Sequence, residues 1–276
     1  MTPKFITQYR PLTARPFLRN RTYEEHIPCK PLRPYVRCFW SSEGIEGDRD
    51  EQLIRVIPDT CMDIIIDMNY TKQTVKSMLY GIQDDTVMVG QGKEKETVLR
   101  FAVRFPFWAV RRFLKLDMNG LCNQALDLEL LMPGCNTEFE KLLYCRSLEE
   151  LIACMETYLM GIFQPEGYNP NLYNSIEYLL RSKGRARVSD ICGYSAVSQR
   201  QMERMFKQEV GISIKRTASL VRYQNVWREV ILKEHFNVQE AVERYGYADQ
   251  SHLLNEFKRF HGLWPSQARL EALESR

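Results

Sequence analysis

Val188-Ser-Asp-Ile-Cys-Gly-Tyr-Ser-Ala-Val-Ser-Gln-Arg-Gln-Met-Glu-Arg-Met-Phe-Lys207 and Val238-Gln-Glu-Ala-Val-Glu-Arg-Tyr-Gly-Tyr-Ala-Asp-Gln-Ser-His-Leu-Leu-Asn-Glu-Phe-Lys258 are one unit written twice. Ile191-Cys192 answer to Ala241-Val242, Ala196 to Gly246, Phe206-Lys207 to Phe257-Lys258, and Gly211 to Gly262. The offset is fifty residues before the turn and fifty-one after it, so one copy carries an extra turn residue. Self-similarity held in register over this length marks a duplicated supersecondary unit, and it decides the fold of this end of the chain.

Each copy reads as two helices around a turn. Val188–Tyr194 predicts a short helix with Ala196-Val197 as its turn. Ser198 makes a good N-cap, because its hydroxyl accepts one of the N–H groups that the first helical turn leaves open. In the next helix Met202, Met205 and Phe206 form an i, i+3, i+4 apolar face, and Arg200, Glu203, Arg204 and Lys207 share the other. In the second copy Gln239–Tyr245 supports and Asp249 caps. Leu253, Phe257 and Phe260 face inward, which leaves Gln250, Ser251, His252, Asn255, Lys258 and Arg259 outside. A supporting helix followed by a presenting one is the helix-turn-helix arrangement, whose second helix enters the DNA major groove. The chemistry agrees. Arg bonds both acceptors of guanine, Asn and Gln suit adenine, and basic side chains hold phosphates. Ile214–Leu232 joins the copies. At about 1.5 Å per residue it spans roughly 28 Å, near the ~34 Å recurrence of the major groove.

One helix with an apolar stripe and a basic face is usually an ordinary surface helix. Charge distribution adds to the duplicated layout. From residue 171 onward the chain has 17 Lys+Arg and 12 Asp+Glu, whereas the remainder is net acidic although the whole chain carries +3. A basic end on an acidic body fits a polyanionic partner, here double-stranded DNA.

Working outward, residues 1–22 are Pro- and Arg-rich and aperiodic, and read as an extended or disordered arm. From Glu24 to Arg104 short apolar runs follow one another: Tyr35–Trp40, Leu53–Ile57, Met62–Met68, Met78–Ile82, Thr86–Val89 and Thr97–Val103. Gly44, Gly47, Asn69-Tyr70, Asp84-Asp85, Gly90 and Gly92 punctuate them, which predicts a β-rich barrel or sandwich. Phe107–Leu116, Asn119–Leu131 and Thr137–Ile162 then read as helices, with Ser147 and Glu150 as the capping start of Leu148–Ile162. This segment, roughly 107–163, is the candidate dimer interface. The expected fold is therefore α+β and multidomain: an arm (1–22), a β-rich sensor or dimerisation domain with helices (23–163), a linker (164–170), and an all-α domain of two helix-turn-helix units joined by a long helix (171–276).

Residues 174–269 resemble the C-terminal DNA-binding domain of the AraC/XylS family of bacterial transcription regulators. The resemblance rests on the stretches 198–207 and 248–262, and on Trp264-Pro265 followed by Arg269. It implies base-facing positions at Arg200, Gln201, Glu203 and Arg204, then at Gln250, Ser251, His252 and Asn255. Ala196 stands where the family usually has a turn glycine, so that turn either avoids positive φ or is mildly strained. Ala241-Val242 reverses the usual large-small pair, Val226 replaces a small residue, and Asn255 stands where some relatives place Arg. Arg55-Val-Ile-Pro-Asp-Thr-Cys-Met-Asp63 and Val103-Arg-Phe-Pro106 resemble an uncharacterised N-terminal domain of some AraC-type regulators. Such domains bind effectors, dimerise, or both. That implies a homodimer, with a small-molecule effector and RNA polymerase as further candidate partners.

Tyr35, Phe39, Trp40, Phe105 and Trp108 are the candidate effector-site aromatics, because small-molecule sites have apolar walls; each is also an ordinary core residue by type. Asp59 reads as a turn cap and Asp63 as an edge residue. The eight cysteines lack C-x-x-C or zinc-finger spacing, so no metal, cofactor or disulfide is expected, and most should be small buried hydrophobes. No catalytic set is visible, and an enzyme is not expected. No apolar run approaches the ~20 residues of a membrane span, and the N-terminus lacks a signal-peptide core, so a cytoplasmic protein is expected. Two rivals stay open: a ligand-independent regulator set by abundance or a protein partner, and a Cys-dependent enzyme fused to a DNA-binding module, with Cys135 and Cys145 as the thiols to examine.

Overall fold

Nine residues, Cys61–Asn69, alternate between buried and half-buried along their length, the period of a strand with one face on a core. This strand lies near the middle of a sheet. The computed structural model describes residues 9–18, 23–43, 53–89, 98–165 and 169–274. Thr97, the turn signals at Gly44, Gly47, Gly90 and Gly92, the ends of the arm (1–8, 19–22) and linker residues 166–168 lie outside the described residues.

The strands are β1 (Tyr23–His26), β2 (Cys38–Glu43), β3 (Ile54–Val56), β4 (Cys61–Asn69), β5 (Thr74–Tyr80), β6 (Val87–Val89), β7 (Val98–Pro106) and β8 (Ala125–Asp127). Six of them form an antiparallel sheet in the order β1-β2-β7-β4-β5-β8, and β3 pairs with β6 as a separate ribbon. The expected barrel is an open sheet, because β1 and β8 remain its edges rather than pairing with each other. Phe39, Ile64, Ile66, Phe101, Val103 and Phe105 bury one face. Cys38, Trp40 and Ala102 form a small cluster apart from that core.

Helices cover the core face, but fewer than the periodicity predicts. Phe107–Leu116 yields only a 3-10 turn at Val110–Arg112. In Asn119–Leu131, left-handed Gly120 and Asn123 break the helix, and Ala125–Asp127 adds to the sheet beside β5. Asp127 then caps the single turn α1 (Leu128–Leu131). α2 (Cys135–Glu140) and a 3-10 turn precede α3 (Leu148–Ile162), which starts as expected: the Ser147 hydroxyl accepts from Glu150 N.

The helical region runs α4 (Pro170–Arg181), α5 (Val188–Ser195), α6 (Gln199–Val210), α7 (Ile214–Leu232), α8 (Val238–Tyr245), α9 (Gln250–His261) and α10 (Pro265–Leu273). α7 is its axis, with eleven of its nineteen residues buried. The described part of the arm is ordered along α7. Leu12 N donates to Gln224 Oε1 at 2.8 Å, and Gln224 Nε2 donates to Leu12 O at 3.1 Å and to Pro58 O at 2.8 Å. Trp227 Nε1 donates to Thr13 O at 3.0 Å. A side-chain amide thus pairs with a passing backbone as a neighbouring strand would.

Candidate nucleic-acid interface

The two repeats fold alike. After α5, Ala196 turns the chain at φ +52; after α8, its counterpart Gly246 does so at φ +67. The caps follow: the Ser198 hydroxyl accepts from Gln201 N at 3.3 Å, and Asp249 Oδ1 accepts from His252 N at 2.7 Å. Ser198 and Asp249 stand fifty-one apart, so the extra residue belongs to the second turn. Both presenting helices end at a left-handed glycine, Gly211 at φ +92 and Gly262 at φ +79.

Met202, Phe206 and Val210 of α6, and Leu253, Phe257 and Phe260 of α9, are fully buried. This leaves Arg200, Gln201, Arg204 and Lys207 exposed on α6, with Glu203 half-buried. Gln250, Ser251, His252, Asn255, Lys258 and Arg259 are exposed on α9. Their local ties differ. Gln201 Oε1 accepts from Ser198 N at 3.0 Å, so that side chain is engaged in the capping box. His252 Nδ1 accepts from Ala248 N at 3.4 Å and its ring meets Tyr247 edge-on. Gln250 Nε2 donates to Gln239 Oε1 at 3.0 Å, and Lys258 lies over Trp264. Among the described residues Arg200, Arg204 and Lys207 have no carboxylate partner, whereas Arg216, Arg222 and Arg244 each have one.

The units are braced within the helical region. Arg222 of α7 makes three hydrogen bonds of 2.9–3.1 Å to the Glu256 carboxylate of α9 and stacks over Tyr247. Gly184 lets the loop after α4 touch α7, where a Cβ would lie 2.3 Å from Ala218 O. Arg269 donates to Val230 O at 2.9 Å and to Lys233 O, satisfying carbonyls at the α7 end. His261 is buried, bonded through Nδ1 to Tyr223 OH at 2.9 Å and stacked on Phe257. Burial first, and then the charge of Arg55, push it down to about 3, so it is neutral.

The five candidate effector-site aromatics do not converge. Phe39 stacks on Phe101 and Phe105 packs on Phe113, both in the core. Trp108 meets Phe107 edge-on. Trp40 belongs to the separate small cluster, and Tyr35 packs on Phe163. Neither the groove beside Phe236 and Trp264 nor the cleft beside Tyr23 and Cys145 includes any of the five. Each packs on other rings, and Tyr35 and Phe105 share Phe113.

The two N-terminal motif stretches do meet. Arg104 of β7 donates to both Asp63 oxygens, at 3.0 and 3.2 Å, and its Nη1 lies 3.6 Å from Asp59. Trp40 Nε1 donates to Asp63 Oδ1 at 3.1 Å. Asp63 is therefore not an edge residue, because β4 lies between β7 and β5. Asp59 caps its turn as expected, accepting from Cys61 N at 3.0 Å. Burial raises its carboxyl against the pull of Arg104. All eight cysteines are free, and only Cys38, Cys61, Cys135 and Cys192 are buried. Burial raises the Cys135 thiol, and burial together with Cys154 pushes Cys145 up to about 11. Among the described residues no His, Cys, Asp and Glu cluster is placed to hold a metal, and no helix is long and apolar enough to cross a membrane.

Sequence reasoning missed the groups that meet the helical region: the side chains of Arg55, Asp84, Thr86 and Arg111, and the backbone of Met118. Their partners lie far along the chain (132 residues for Asp84 and Arg216), so no local pattern signals them.

Comparison with known proteins places two families on the chain. Residues 24–127 match a domain of unknown function (DUF6597), and residues 191–271 match a helix-turn-helix domain. No curated protein matches it. Among solved structures, it is similar to an AraC-type transcriptional regulator from Chromobacterium violaceum, with 21% identity over 37% of this chain and 92% of the other, and a TM-score of 0.35. The C-terminal domain of AraT, a response regulator from Geobacillus stearothermophilus, has 25% identity over 38% and 88%, with a TM-score of 0.36. ToxT from Vibrio cholerae O395 has 14% identity over 84% and 97%, with a TM-score of 0.41.

Proposed function

Residues 191–271 being a helix-turn-helix domain of the AraC type, we propose that the chain is a transcription regulator that grips promoter DNA with α6 and α9. One observation carries the reading: two equivalent helices, capped alike and joined by α7, turn exposed polar faces to solvent, and the cations of α6 have no carboxylate partner among the described residues. Arg200 and Arg204 are the guanine readers. Lys207, Lys258 and Arg259 hold phosphates. On α9 Ser251 and Asn255 are the least engaged readers, since Gln250 and His252 are tied locally. The chain is not an enzyme in this reading, which the raised thiols of Cys135 and Cys145 support, because a nucleophilic cysteine needs a lowered one.

Control by a small-molecule effector, a homodimer and contact with RNA polymerase belong to the same proposal. What supports effector control is the contact surface between sheet and helical regions, through which a change in the sheet would reach α6 and α9. The test replaces Arg200 and Arg204 by Ala and measures binding to duplexes selected from a random pool. Each lost bidentate contact should weaken binding by about 1–3 kcal/mol and relax specificity at its base pair. Unchanged affinity and sequence preference would sink the assignment.

A further inference from the structure

The sheet region touches both presenting helices at their C-terminal ends. At α6, Met118 N donates to Gln208 O at 3.0 Å and Arg111 pairs with Glu209 at 2.6 Å. A Cβ on Gly211 would lie 2.8 Å from Met118 O. At α9, the Thr86 hydroxyl donates to Phe260 O at 2.6 Å. Arg55 reaches His261 O at 3.5 Å and Glu271 at 3.4 Å, and a Cβ on Gly262 would lie 2.6 Å from its Nη1. Gly211 and Gly262 are the same position of the repeat, as are Glu209 and Phe260. Between the two contacts Arg216, in the first turn of α7, donates to Asp84 Oδ2 at 2.6 Å and to Asp84 O at 2.8 Å.

These ends suit such a grip. The last carbonyls of a helix have no partner within it, and the negative end of the helix dipole favours Arg55 and the Thr86 donor. Each helix of twelve residues keeps its first turn roughly 15 Å from the gripped end. Arg200 and Gln250 therefore stay clear of the contact. We propose that the sheet region is a two-point brace that sets the separation and tilt of α6 and α9, with Thr86 and Arg55 as positioning residues at one end and Arg111 at the other. The brace rests on the reading that α6 and α9 bind DNA. It goes further in assigning half-site spacing to residues outside the helical region.

The test uses the full chain and a selected duplex whose two contact boxes are moved apart by one, two or five base pairs. The wild type should lose affinity steeply with each insertion. Thr86→Val with Arg55→Gln should weaken binding at the native spacing roughly three- to tenfold, by loss of about one or two hydrogen bonds, and flatten the spacing profile. Thr86→Ser, which keeps the donor, should retain the wild-type profile. At the other end Arg111→Glu should flatten it, and Glu209→Arg in the same chain should restore it. Variants that bind with the wild-type profile overturn the brace alone, whereas a wild type that retains no duplex overturns the DNA-binding reading and the brace with it.

Discussion

Ala196 shows how far one residue could be read from the sequence. Its departure from glycine left two outcomes for the turn, relaxed or strained, and φ +52 settles it as strained. A left-handed alanine costs on the order of 1–2 kcal/mol, part of which glycine gives back as unfolded-chain entropy. Ala196→Gly should therefore stabilise the chain by about 0.5–1 kcal/mol, read as a higher denaturation midpoint at unchanged slope. A lower midpoint would mean that the methyl makes contacts outweighing the strain. The outward faces of α6 and α9 were legible because apolar period alone fixes which side is covered. The tie of Gln201 is written in the Ser198-x-x-Gln201 capping pattern, whereas that of His252 was not legible, since its side-chain rotamer decides it. Nor was the scatter of the five aromatics, because composition does not say which ring a ring packs against.

Elements with strong caps were read well. Ser147, Ser198 and Asp249 each sit where the sequence placed them, and α7 spans the residues that the sequence placed between the two copies. Weakly punctuated stretches failed: Asn119–Leu131 has helix-compatible residues, yet the open edge of β5 recruits Ala125–Asp127 as a strand. The barrel failed for a related reason, because strand-like runs do not reveal whether the edges meet. The tie between α7 and α9 gives an element-scale prediction. Glu256→Ala leaves Arg222 nearly buried without a carboxylate. Removing one partner of such a pair costs about 3 kcal/mol. The signature to seek is faster amide exchange in α9 than in α6, and equal protection in both would refute the tie.

At the scale of the molecule, the duplicated unit told the sequence reader what the helical region is, but nothing local told how the sheet region meets it. The arm illustrates this, since a Pro- and Arg-rich aperiodic lead-in reads as loose. Its residues 10–13 are held by Gln224, Trp227 and Arg228 because α7 offers side-chain donors there. Deleting residues 1–13 should strand Gln224 Oε1 and the Trp227 indole N–H, while Gln224 Nε2 keeps Pro58 O. Each buried group left unpaired costs about 1–3 kcal/mol. A thermal midpoint that stays put on deletion would show that the arm contributes nothing to the fold.

Leu12 and its partner Gln224 lie 212 residues apart. During synthesis at roughly 5–20 residues per second, the arm would wait on the order of 10–40 s for the helix it docks on. For that interval Leu12 and Pro58 lack the Gln224 side chain that ties both of them to α7. Docking of the arm thus waits on α7, and the grip of Thr86 and Arg55 waits longer still, for α9 and α10.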